Sequence, residues 1–324
     1  MVKRKLDTAQ ILSCLQALAD QSWLKRSERR WWPRFVFHYT DVRNAAKILQ
    51  EGCLHCRNYL EEAHQPTVDS GSPRVLAGTA TSAKHYVRLY FRPKTPTQYH
   101  IEGIRTIDQI TPLHAHCPVP VFFLFDSNAI LTRADCQFSD GNLASPRAQR
   151  LSTAAELENL PWARIYHTGP FDPHQDSDIT FRRNAEVIVP QKLDLTSLSF
   201  IYCRSAAEKE TLLSLLSPKL RRQYQEMIVA TTRSMLFFRA HTFIETVELS
   251  ANHVVARFSP DTRSPGPFRL QVILNDYHLG KENFYVTKDI KIDLPITLPH
   301  YTIQIKLDGH LAYANSYTLM DAPF

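Results

Sequence analysis

Apolar residues recur at helical spacing in the first part of the chain. Between Thr8 and Leu24 they fall on one face of a helix, at Ile11, Leu12, Leu15, Leu18 and Leu24. This segment is therefore predicted to be an amphipathic helix. A strand is predicted from Arg34 to Thr40 and a second helix from Asp41 to about Glu51. Asp41 suits the N-cap of this helix, and Gly52 suits the position that ends it.

Short apolar runs then alternate with polar segments. They predict buried strands at Tyr86–Phe91, Pro120–Phe125 and Glu186–Val189. Two helical stretches follow, over residues 206–216 and 219–230. This mixture of strands and helices favours an α+β domain with a split β-sheet.

The last part of the chain has a different pattern, in which strand-like segments alternate with turn residues. The predicted strands are 243–249, 253–258, 268–274, 284–292 and 301–307. Asp308-Gly309 connects the last strand to His310–Tyr313 and favours a type I′ hairpin turn, because both residues tolerate positive φ. We predict a small all-β, immunoglobulin-like sandwich here. The predicted division is a basic N-terminal helix and arm (1–33), a split-sheet domain (34–205), a helical connector (206–231) and the β-sandwich (232–324).

Composition limits the class of protein. Of the 324 residues, 44% are hydrophobic and 22% are charged, which is an ordinary mixture for a globular protein. No segment approaches the roughly 20 consecutive apolar residues that a membrane span requires, and no small-residue cleavage site follows the basic start. We therefore expect a cytoplasmic protein without membrane contacts. The six scattered cysteines are predicted to be free thiols.

The positive charge is concentrated near the start of the chain. Residues 1–60 contain eleven Lys and Arg against five Asp and Glu, a surplus equal to the net charge of +6. Within them, Lys25–Arg34 combines five cations with two adjacent tryptophans. Cations can hold phosphates and aromatic faces can stack on unpaired bases, so the candidates for binding single-stranded nucleic acid are Arg29, Arg30, Trp31 and Trp32. The alternative is a solubilising charged surface with at least one tryptophan in the core.

A first group of polar residues lies where the first strand meets the next helix. His38, Tyr39 and Thr40 end the strand, and Asn44 lies on the first turn of the helix. This placement would bring an imidazole, a hydroxyl and an amide to the mouth of one pocket. A histidine alone would more often be a core residue with its hydrogen bonds satisfied, but the nearby Thr40 and Asn44 favour a functional role for His38.

A second group lies at two other strand ends. Tyr90–Pro96 runs from a strand into a proline-stiffened turn that carries Arg92 and Lys94. Glu186 enters a strand that is otherwise suited to burial. A carboxylate there costs several kcal/mol unless it is hydrogen-bonded or functional. The structural alternative for Glu186 is a salt bridge to the nearby Arg182 or Arg183.

At these positions the sequence resembles the DarT family of NAD-dependent ADP-ribosyltransferases that modify nucleic acid. The resemblance extends through most of residues 34–205. It includes the family's His-x-Thr strand with the following Asn, its Tyr-Phe-x-Pro-Arg-(Ser/Thr)-Pro segment and its closing Arg-x-x-Ala-Glu. The matching segments occur in the family's order along the chain, at His38–Asn44, Tyr90–Pro96, Phe138–Gly141, Leu157–Trp162 and Arg182–Glu186.

The resemblance implies an ADP-ribosyltransferase-like split sheet, NAD as co-substrate and roles for the polar groups. Glu186 would stabilise the positive charge that develops on the ribose as nicotinamide leaves, and it would take a proton from the attacking base. Arg92 or Lys94 would pair with the pyrophosphate or steer the acceptor. The implied NAD contacts are His38, Tyr39, Thr40, Asn44 and Tyr90. Arg182 and Arg183 join the candidates for binding nucleic acid.

The sequence departs from the family pattern in the turn after Tyr90. Lys94 stands where the family usually has arginine, and Arg92 stands where the residue is usually small. Arginine and lysine differ in planarity and bidentate capacity. The acceptor therefore stays open between single-stranded DNA, in which the best-known relatives modify thymidine, and single-stranded RNA.

The resemblance also implies a biological setting. The chain would be the toxin of a toxin–antitoxin or anti-phage system, restrained by an antidote protein. Independently of the resemblance, the β-rich end has no convergent set of polar residues, and we expect it to have a structural role or to dock an antidote or a chaperone. Two other functions stay open: an inactive module that binds single strands, and an ADP-ribosyltransferase that acts on proteins. We also expect Glu186→Gln to abolish transfer and barely change the melting temperature, since the isosteric amide keeps the packing.

No metal site is predicted. Cys53-Leu54-His55-Cys56 has the spacing of half a zinc site and His64 lies nearby, but no second Cys-x-x-Cys accompanies it. Residues 64–84, rich in Ser, Thr, Gly and Pro, are predicted to form a loop.

Overall fold

The computed structural model describes residues 2–63, 81–110, 116–172, 174–230, 235–275, 277–286, 289–294 and 297–319. The described helices are α1 (Thr8–Asp20), α2 (Ser22–Lys25), α3 (Val42–Glu51), α4 (Arg57–Glu62), α5 (Thr81–Lys84), α6 (Pro96–Ile101), α7 (Ser127–Leu131), α8 (Ala154–Glu158), α9 (Trp162–Ile165), α10 (Ser177–Arg182), α11 (Ala206–Ser214) and α12 (Pro218–Tyr224). A 3-10 helix covers Trp32–Arg34. The described strands are β1 (Phe35–Asp41), β2 (Cys53–His55), β3 (Tyr86–Tyr90), β4 (Pro120–Asp126), β5 (Gln137–Ser139), β6 (Arg150–Leu151), β7 (Glu186–Pro190), β8 (Lys192–Asp194), β9 (Leu198–Cys203), β10 (Ile228–Ala230), β11 (Ile244–Leu249), β12 (His253–Phe258), β13 (Phe268–Leu274), β14 (Tyr277–Phe284), β15 (Ile290–Asp293), β16 (His300–Leu307) and β17 (His310–Thr318).

An eight-stranded sheet in the order β10-β9-β4-β1-β3-β7-β5-β6 organises the first part of the chain. Strand β4 pairs antiparallel with β1 and β9, and residues 120–125 are buried on both faces, as their uninterrupted apolar run predicts. Strands β1 and β3 are joined at the pair Phe37–Tyr90. Strand β7 pairs with β3 along its whole length and places Glu186 opposite Tyr90. Glu186 therefore lies beside the point where the sheet is least continuous.

The strand–helix unit predicted near the start is confirmed as β1 and α3. Asp41 accepts a hydrogen bond from the backbone N of Arg43 as the N-cap, and Gly52 ends the helix with a φ of 71°. The single helix predicted over Thr8–Leu24 is instead divided into α1 and α2, because Gln21 has an extended ψ of 128°. The buried residues of these two helices are Ile11, Leu15, Leu18 and Leu24.

Two smaller antiparallel sheets form the last part of the described chain, in the orders β11-β12-β15 and β14-β13-β16-β17. Both sheets contribute to one hydrophobic core, which includes Val254, Val272 and Ile303. The predicted turn at Asp308-Gly309 is confirmed, with φ of 49° and 78° at its two residues. The apolar faces of the two sheets are therefore buried against each other.

Three sequence predictions about elements need correction. The strand predicted over 284–292 is wrong, because β14 ends at Phe284 and β15 begins at Ile290. Strand β14 was not predicted, since residues 277–283 are all exposed and show no apolar alternation. The loop predicted over 64–84 lies outside the described residues up to residue 80, and its last four residues form α5.

The predicted connector belongs to both parts of the chain. Residues 225–230 are not helical as predicted, because Ile228–Ala230 form β10, which runs parallel to β9 in the main sheet. Helix α11 packs against β17: the backbone N of Ala314 donates to Thr211 Oγ1 (3.1 Å), and Ser214 Oγ donates to the carbonyl of Ala314 (2.8 Å). Helix α11, which follows β9 of the main sheet, is thus hydrogen-bonded directly to one of the smaller sheets.

A buried ion cluster lies at the same junction. Arg204 Nη2 pairs with Glu208 Oε1, and Arg204 Nη1 lies 3.7 Å from Glu102 Oε1. None of the three side chains is more than 2% exposed. Arg239 Nη1 donates to the carbonyl of Arg204 (2.7 Å) and extends the cluster toward the smaller sheets. All six cysteines are free, as predicted, and none of the described helices is long and apolar enough to cross a membrane.

Candidate active site

The carboxylate of Glu186 is fully buried at the start of β7. Arg88 binds both of its oxygens: Nε donates to Oε2, and Nη2 donates to Oε1 at 2.6 Å. The backbone N of Leu143 also donates to Oε1, at 3.0 Å. The backbone N of Glu186 itself donates to Ser139 Oγ at 3.0 Å. The carboxylate is therefore held in one orientation by β3 on one side and by the loop after β5 on the other.

Arg88 is a site residue that the sequence patterns do not indicate. It lies on β3 two residues before Tyr90, so the two side chains project from the same face of the strand. Burial opposes its charged form, but the adjacent Glu186 carboxylate more than compensates and raises the pKa of Arg88 above its ordinary value. The signal in the sequence is a charged residue between Val87 and Leu89, which are both buried. The sequence alone does not show which residue pairs with Arg88, because the pairing depends on the register of β3 against β7.

His38 lies on β1, which neighbours β3 on the side away from the Glu186 strand β7. Its Nδ1 is 3.1 Å from the carbonyl of Arg88. A carbonyl can only accept, so Nδ1 carries the proton and Nε2 is left as an acceptor in the neutral ring. Burial lowers the pKa of His38 to about 4. At neutral pH this histidine is therefore an uncharged side chain whose Nε2 can accept a hydrogen bond from a hydroxyl.

Thr40 and Asn44 form one unit with His38, as the sequence predicts, and Tyr39 does not. Thr40 follows His38 on the same face of β1, and Asn44 Nδ2 donates to Thr40 Oγ1 (3.2 Å). Tyr39 projects from the opposite face and packs against Phe122, with 5.1 Å between ring centroids. Burial raises the pKa of Tyr39 well above its ordinary value. This placement corrects the predicted contact between Tyr39 and NAD.

Tyr90 is adjacent to the Glu186 carboxylate. The two residues are partners in the register of β3 and β7. Burial and the negative charge of Glu186 together raise the pKa of Tyr90 to about 12. The phenol is therefore protonated at neutral pH and can donate a hydrogen bond.

Arg92 does not contact Glu186. Its side chain is 1% exposed. Nε donates to the carbonyl of Pro93 (2.9 Å), and Nη1 donates to the carbonyls of Ile165 (2.9 Å) and His167. The guanidinium also lies over the Trp32 ring, 5.0 Å from its centroid. Arg92 thus binds backbone between two loops, and the guanidinium that contacts Glu186 is that of Arg88.

Lys94 occupies a constrained position in the same turn. Its φ is 55°, and its backbone N donates to Gln98 Oε1 (2.7 Å). The Nζ atom lies 5.7 Å from the centroid of the Phe238 ring. Burial lowers the pKa of Lys94. No carboxylate of the described residues forms an ion pair with this ammonium, which leaves it able to attract a phosphate.

The two arginines before Glu186 have other partners than Glu186. Arg182 Nη1 binds Asp140 Oδ2 at 2.6 Å, and its Nε donates to Asp178 Oδ1 at 3.3 Å. Arg183 Nη2 donates to the carbonyl of Lys94 at 3.3 Å. The salt bridge considered as a structural alternative for Glu186 exists, but Arg88 forms it.

Of the four candidates for binding nucleic acid in the N-terminal arm, one is a core residue and three remain accessible. Trp32 is fully buried, so it cannot offer a face to a base, and the predicted contact with nucleic acid is corrected for this residue. Trp31 is half-buried and packs edge-on against Phe37, at 5.9 Å between centroids. Arg29 Nη1 donates to the carbonyl of Tyr166, whereas Arg30 is exposed.

The cysteine–histidine segment has a local structure of its own. Cys53 Sγ lies 3.2 Å from His55 Nε2, and the His55 ring stacks on Tyr59 at 4.1 Å between centroids. His64 lies outside the described residues. Across the described part of the chain, no group of three or more His, Cys, Asp or Glu side chains could hold a metal ion.

Comparison with known proteins decides the family. Residues 37–237 match the family model described as ssDNA thymidine ADP-ribosyltransferase, DarT. This chain belongs to the DarT family. The match includes Glu186, Arg88 and the His38 unit, and it confirms the family that the ordered segments of the sequence indicate. The DarT model ends before the two smaller sheets.

Solved DarT structures share the fold. Thermus sp. 2.9 DarT in complex with ADP-ribosylated ssDNA is 19% identical, with a TM-score of 0.50 over 64% of this chain and 97% of that chain. The same protein in complex with NAD+ is 18% identical, with a TM-score of 0.47 over 61% and 96%. Thermosipho africanus DarTG in complex with ADP-ribose is 18% identical, with a TM-score of 0.47 over 63% and 51%. No curated protein sequence matches this chain significantly.

Proposed function

We propose that this chain transfers a single ADP-ribose from NAD to thymidine in single-stranded DNA, with Glu186 as the catalytic carboxylate. The proposal follows the described activity of the DarT family. The observation that carries it is a buried carboxylate held by the side chain of Arg88 on β3, whose backbone carbonyl also binds His38. The family description names DNA and thymidine, so RNA has no comparable support as the acceptor.

The hydrogen bonds of Glu186 leave it able to act on a substrate. An ionised carboxylate has about four lone-pair directions, and Arg88 and Leu143 occupy three of them. The remaining direction belongs to Oε2. This oxygen would bind a ribose hydroxyl of NAD and stabilise the cationic sugar that forms as the bond to nicotinamide breaks. It would then accept the proton that the thymine nitrogen loses as it bonds to the ribose carbon.

The other residues of the site would position NAD. His38 Nε2 would accept from a ribose hydroxyl, because Nδ1–H is already bonded to the Arg88 carbonyl. Thr40 and Asn44 would bind neighbouring polar groups of the cofactor. Tyr90, kept protonated by its surroundings, would donate a hydrogen bond beside the reacting carbon.

The rest of the chain would serve regulation and delivery of the DNA strand. Residues 1–33 would be a basic N-terminal helix and arm, 34–205 the catalytic domain and 206–231 a connector that contributes one strand to the main sheet. Residues 232–324 would form an immunoglobulin-like sandwich and a docking surface for an antidote protein. The predicted chaperone and anti-phage roles stay predictions.

Mass spectrometry of oligonucleotides tests the proposal. Wild-type protein is incubated with NAD and two single-stranded oligonucleotides that differ only in whether they contain thymidine. We expect one ADP-ribose on the thymidine-containing strand, no product with Glu186→Gln, and full activity with Glu226→Gln, a matched change at an exposed glutamate on the connector. Modification of the protein itself would favour the protein-directed alternative, and binding without any product would favour the inactive module.

A further inference from the structure

Three arginines and one histidine lie close together at two short stretches of backbone. We call them the arginine cluster: Arg29, Arg92, Arg183 and His167. Arg92 Nη1 donates to the carbonyls of Ile165 (2.9 Å) and His167. Arg29 Nη1 donates to the carbonyl between them, that of Tyr166. Two guanidinium groups therefore bind three consecutive carbonyls of one turn.

The second stretch of backbone brings in the third arginine. Arg92 Nε donates to the carbonyl of Pro93 (2.9 Å), and Arg183 Nη2 donates to the carbonyl of Lys94 (3.3 Å). These carbonyls are also consecutive, so Arg183 lies beside Arg92. The Arg183 guanidinium packs over the Phe171 ring, 5.2 Å from its centroid, and the His167 ring is 5.8 Å from the same ring. All four members of the cluster thus surround one small region.

The arginine cluster has buried donors that nothing in the described chain satisfies. Arg92 Nη2, Arg183 Nε and His167 Nδ1 are buried and have no hydrogen-bond partner among the described residues. Of the ion pairs in the described chain, none involves Arg29, Arg92 or Arg183. A buried charge without a counter-ion is costly. Burial and the charges of Arg183 and Arg29 accordingly lower the pKa of Arg92 well below its ordinary value.

The members of the arginine cluster differ in exposure in a way that suits a bound anion. Arg92 is 1% exposed and packs against the Trp32 ring, so its guanidinium has a fixed position at the base of the cluster. Arg29, Arg183 and His167 are only half-buried and form the sides. Planar guanidinium groups bind phosphate oxygens through paired N–H donors, and several of them together match its negative charge.

We propose that the arginine cluster is a binding subsite for a phosphate group of a substrate. This inference rests on the proposed function for the identity of the substrates. Arg183 is three residues before Glu186, so a phosphate here would belong to a molecule whose reacting part lies at Glu186. Two substrates carry such a group: the acceptor strand, through the phosphodiester near the modified nucleotide, and NAD, through its pyrophosphate.

Binding measurements that need no catalysis test the subsite. The affinities for a fluorescent thymidine oligonucleotide and for NAD are measured for wild type, Arg29→Gln and Arg183→Gln. Arg222→Gln is the matched control, since it removes the same charge from an exposed residue on α12. If the phosphate belongs to the strand, each cluster variant should weaken the oligonucleotide about tenfold and reduce the slope of log affinity against log salt by about 0.7. If it belongs to NAD, the NAD affinity should fall instead.

A chemical substitution in the oligonucleotide locates the contact. Methylphosphonate linkages, which carry no charge, are introduced one at a time. Wild type should lose affinity most strongly at one linkage, and Arg183→Gln should be insensitive at that same linkage. Equal sensitivity in both proteins, together with unchanged NAD affinity, would overturn the proposal and leave the cluster a purely structural feature. Binding effects without any transfer would instead retain the subsite and refute the proposed function. Unfolding temperatures of all variants identify any that fail to fold.

Discussion

Replacing Glu186 with glutamine removes the negative charge that neutralises Arg88. The amide has one oxygen and one NH2 group, so one of the two hydrogen bonds from Arg88 faces a donor. Removing one partner of a buried ion pair costs about 3–5 kcal/mol. The Arg88 side chain is 28% exposed, and solvent compensates part of its lost partner. We therefore expect a loss of about 1–3 kcal/mol in the free energy of unfolding, in contrast to the negligible change expected from the sequence.

Unfolding followed by tryptophan fluorescence measures this loss where it occurs. All four tryptophans, Trp23, Trp31, Trp32 and Trp162, precede the connector, so the signal reports the part of the chain that contains the main sheet. Arg88→Met and the double variant complete a double-mutant cycle. Removing both charges should destabilise by less than the sum of the single changes, because no buried charge is left unpaired. If the losses in the free energy of unfolding are additive, or if Glu186→Gln unfolds at the wild-type midpoint, the Arg88–Glu186 pair does not stabilise the fold.

Three further outcomes are expected. Gly141→Ala places a Cβ against the ring of Phe181 and should displace the loop that supports Glu186, lowering kcat about ten- to a hundredfold in steady-state kinetics; an unchanged kcat contradicts this. Burial lowers the pKa of His38 from 6.5 to about 4, so between these pH values the unfolded chain binds a proton at this histidine more readily than the folded chain does. The free energy of unfolding should therefore decrease as the pH falls through this range, and His38→Asn should make that free energy less dependent on pH. Deleting residues 232–324 uncovers α11 and should give protein that aggregates in size-exclusion chromatography. A soluble and active product would contradict the claim that α11 depends on its contacts with β17.

The sequence predicts the parts of the site that depend on local pattern. The β1–α3 unit follows from an apolar run, an N-cap and a terminal glycine, and all three are local signals. His38, Thr40 and Asn44 come together because two of them share a strand face and the third lies on the next helical turn. The role of Glu186 is suggested by a carboxylate in a strand suited to burial.

The sequence cannot predict contacts that depend on pairing between distant strands. Arg88 meets Glu186 only because β3 and β7 pair in one register, and a shift by one residue would move the arginine to the other face. Arg92 is a cation in a turn, which predicts exposure, yet two loops bury it between their carbonyls. Trp32 is in the core for the same reason, since the residues that cover it come from far along the chain. Strand β14 lacks apolar alternation because it is an exposed edge.

Transfer of label from NAD to nucleic acid tests the central claim most directly. Purified protein is incubated with NAD labelled in its ADP-ribose part and, separately, with pools of single-stranded DNA and single-stranded RNA. Label should appear on the DNA pool with wild type and with Glu226→Gln, and it should be absent with Glu186→Gln. Label on neither pool, label on RNA alone, or undiminished label with Glu186→Gln would contradict the proposed enzyme.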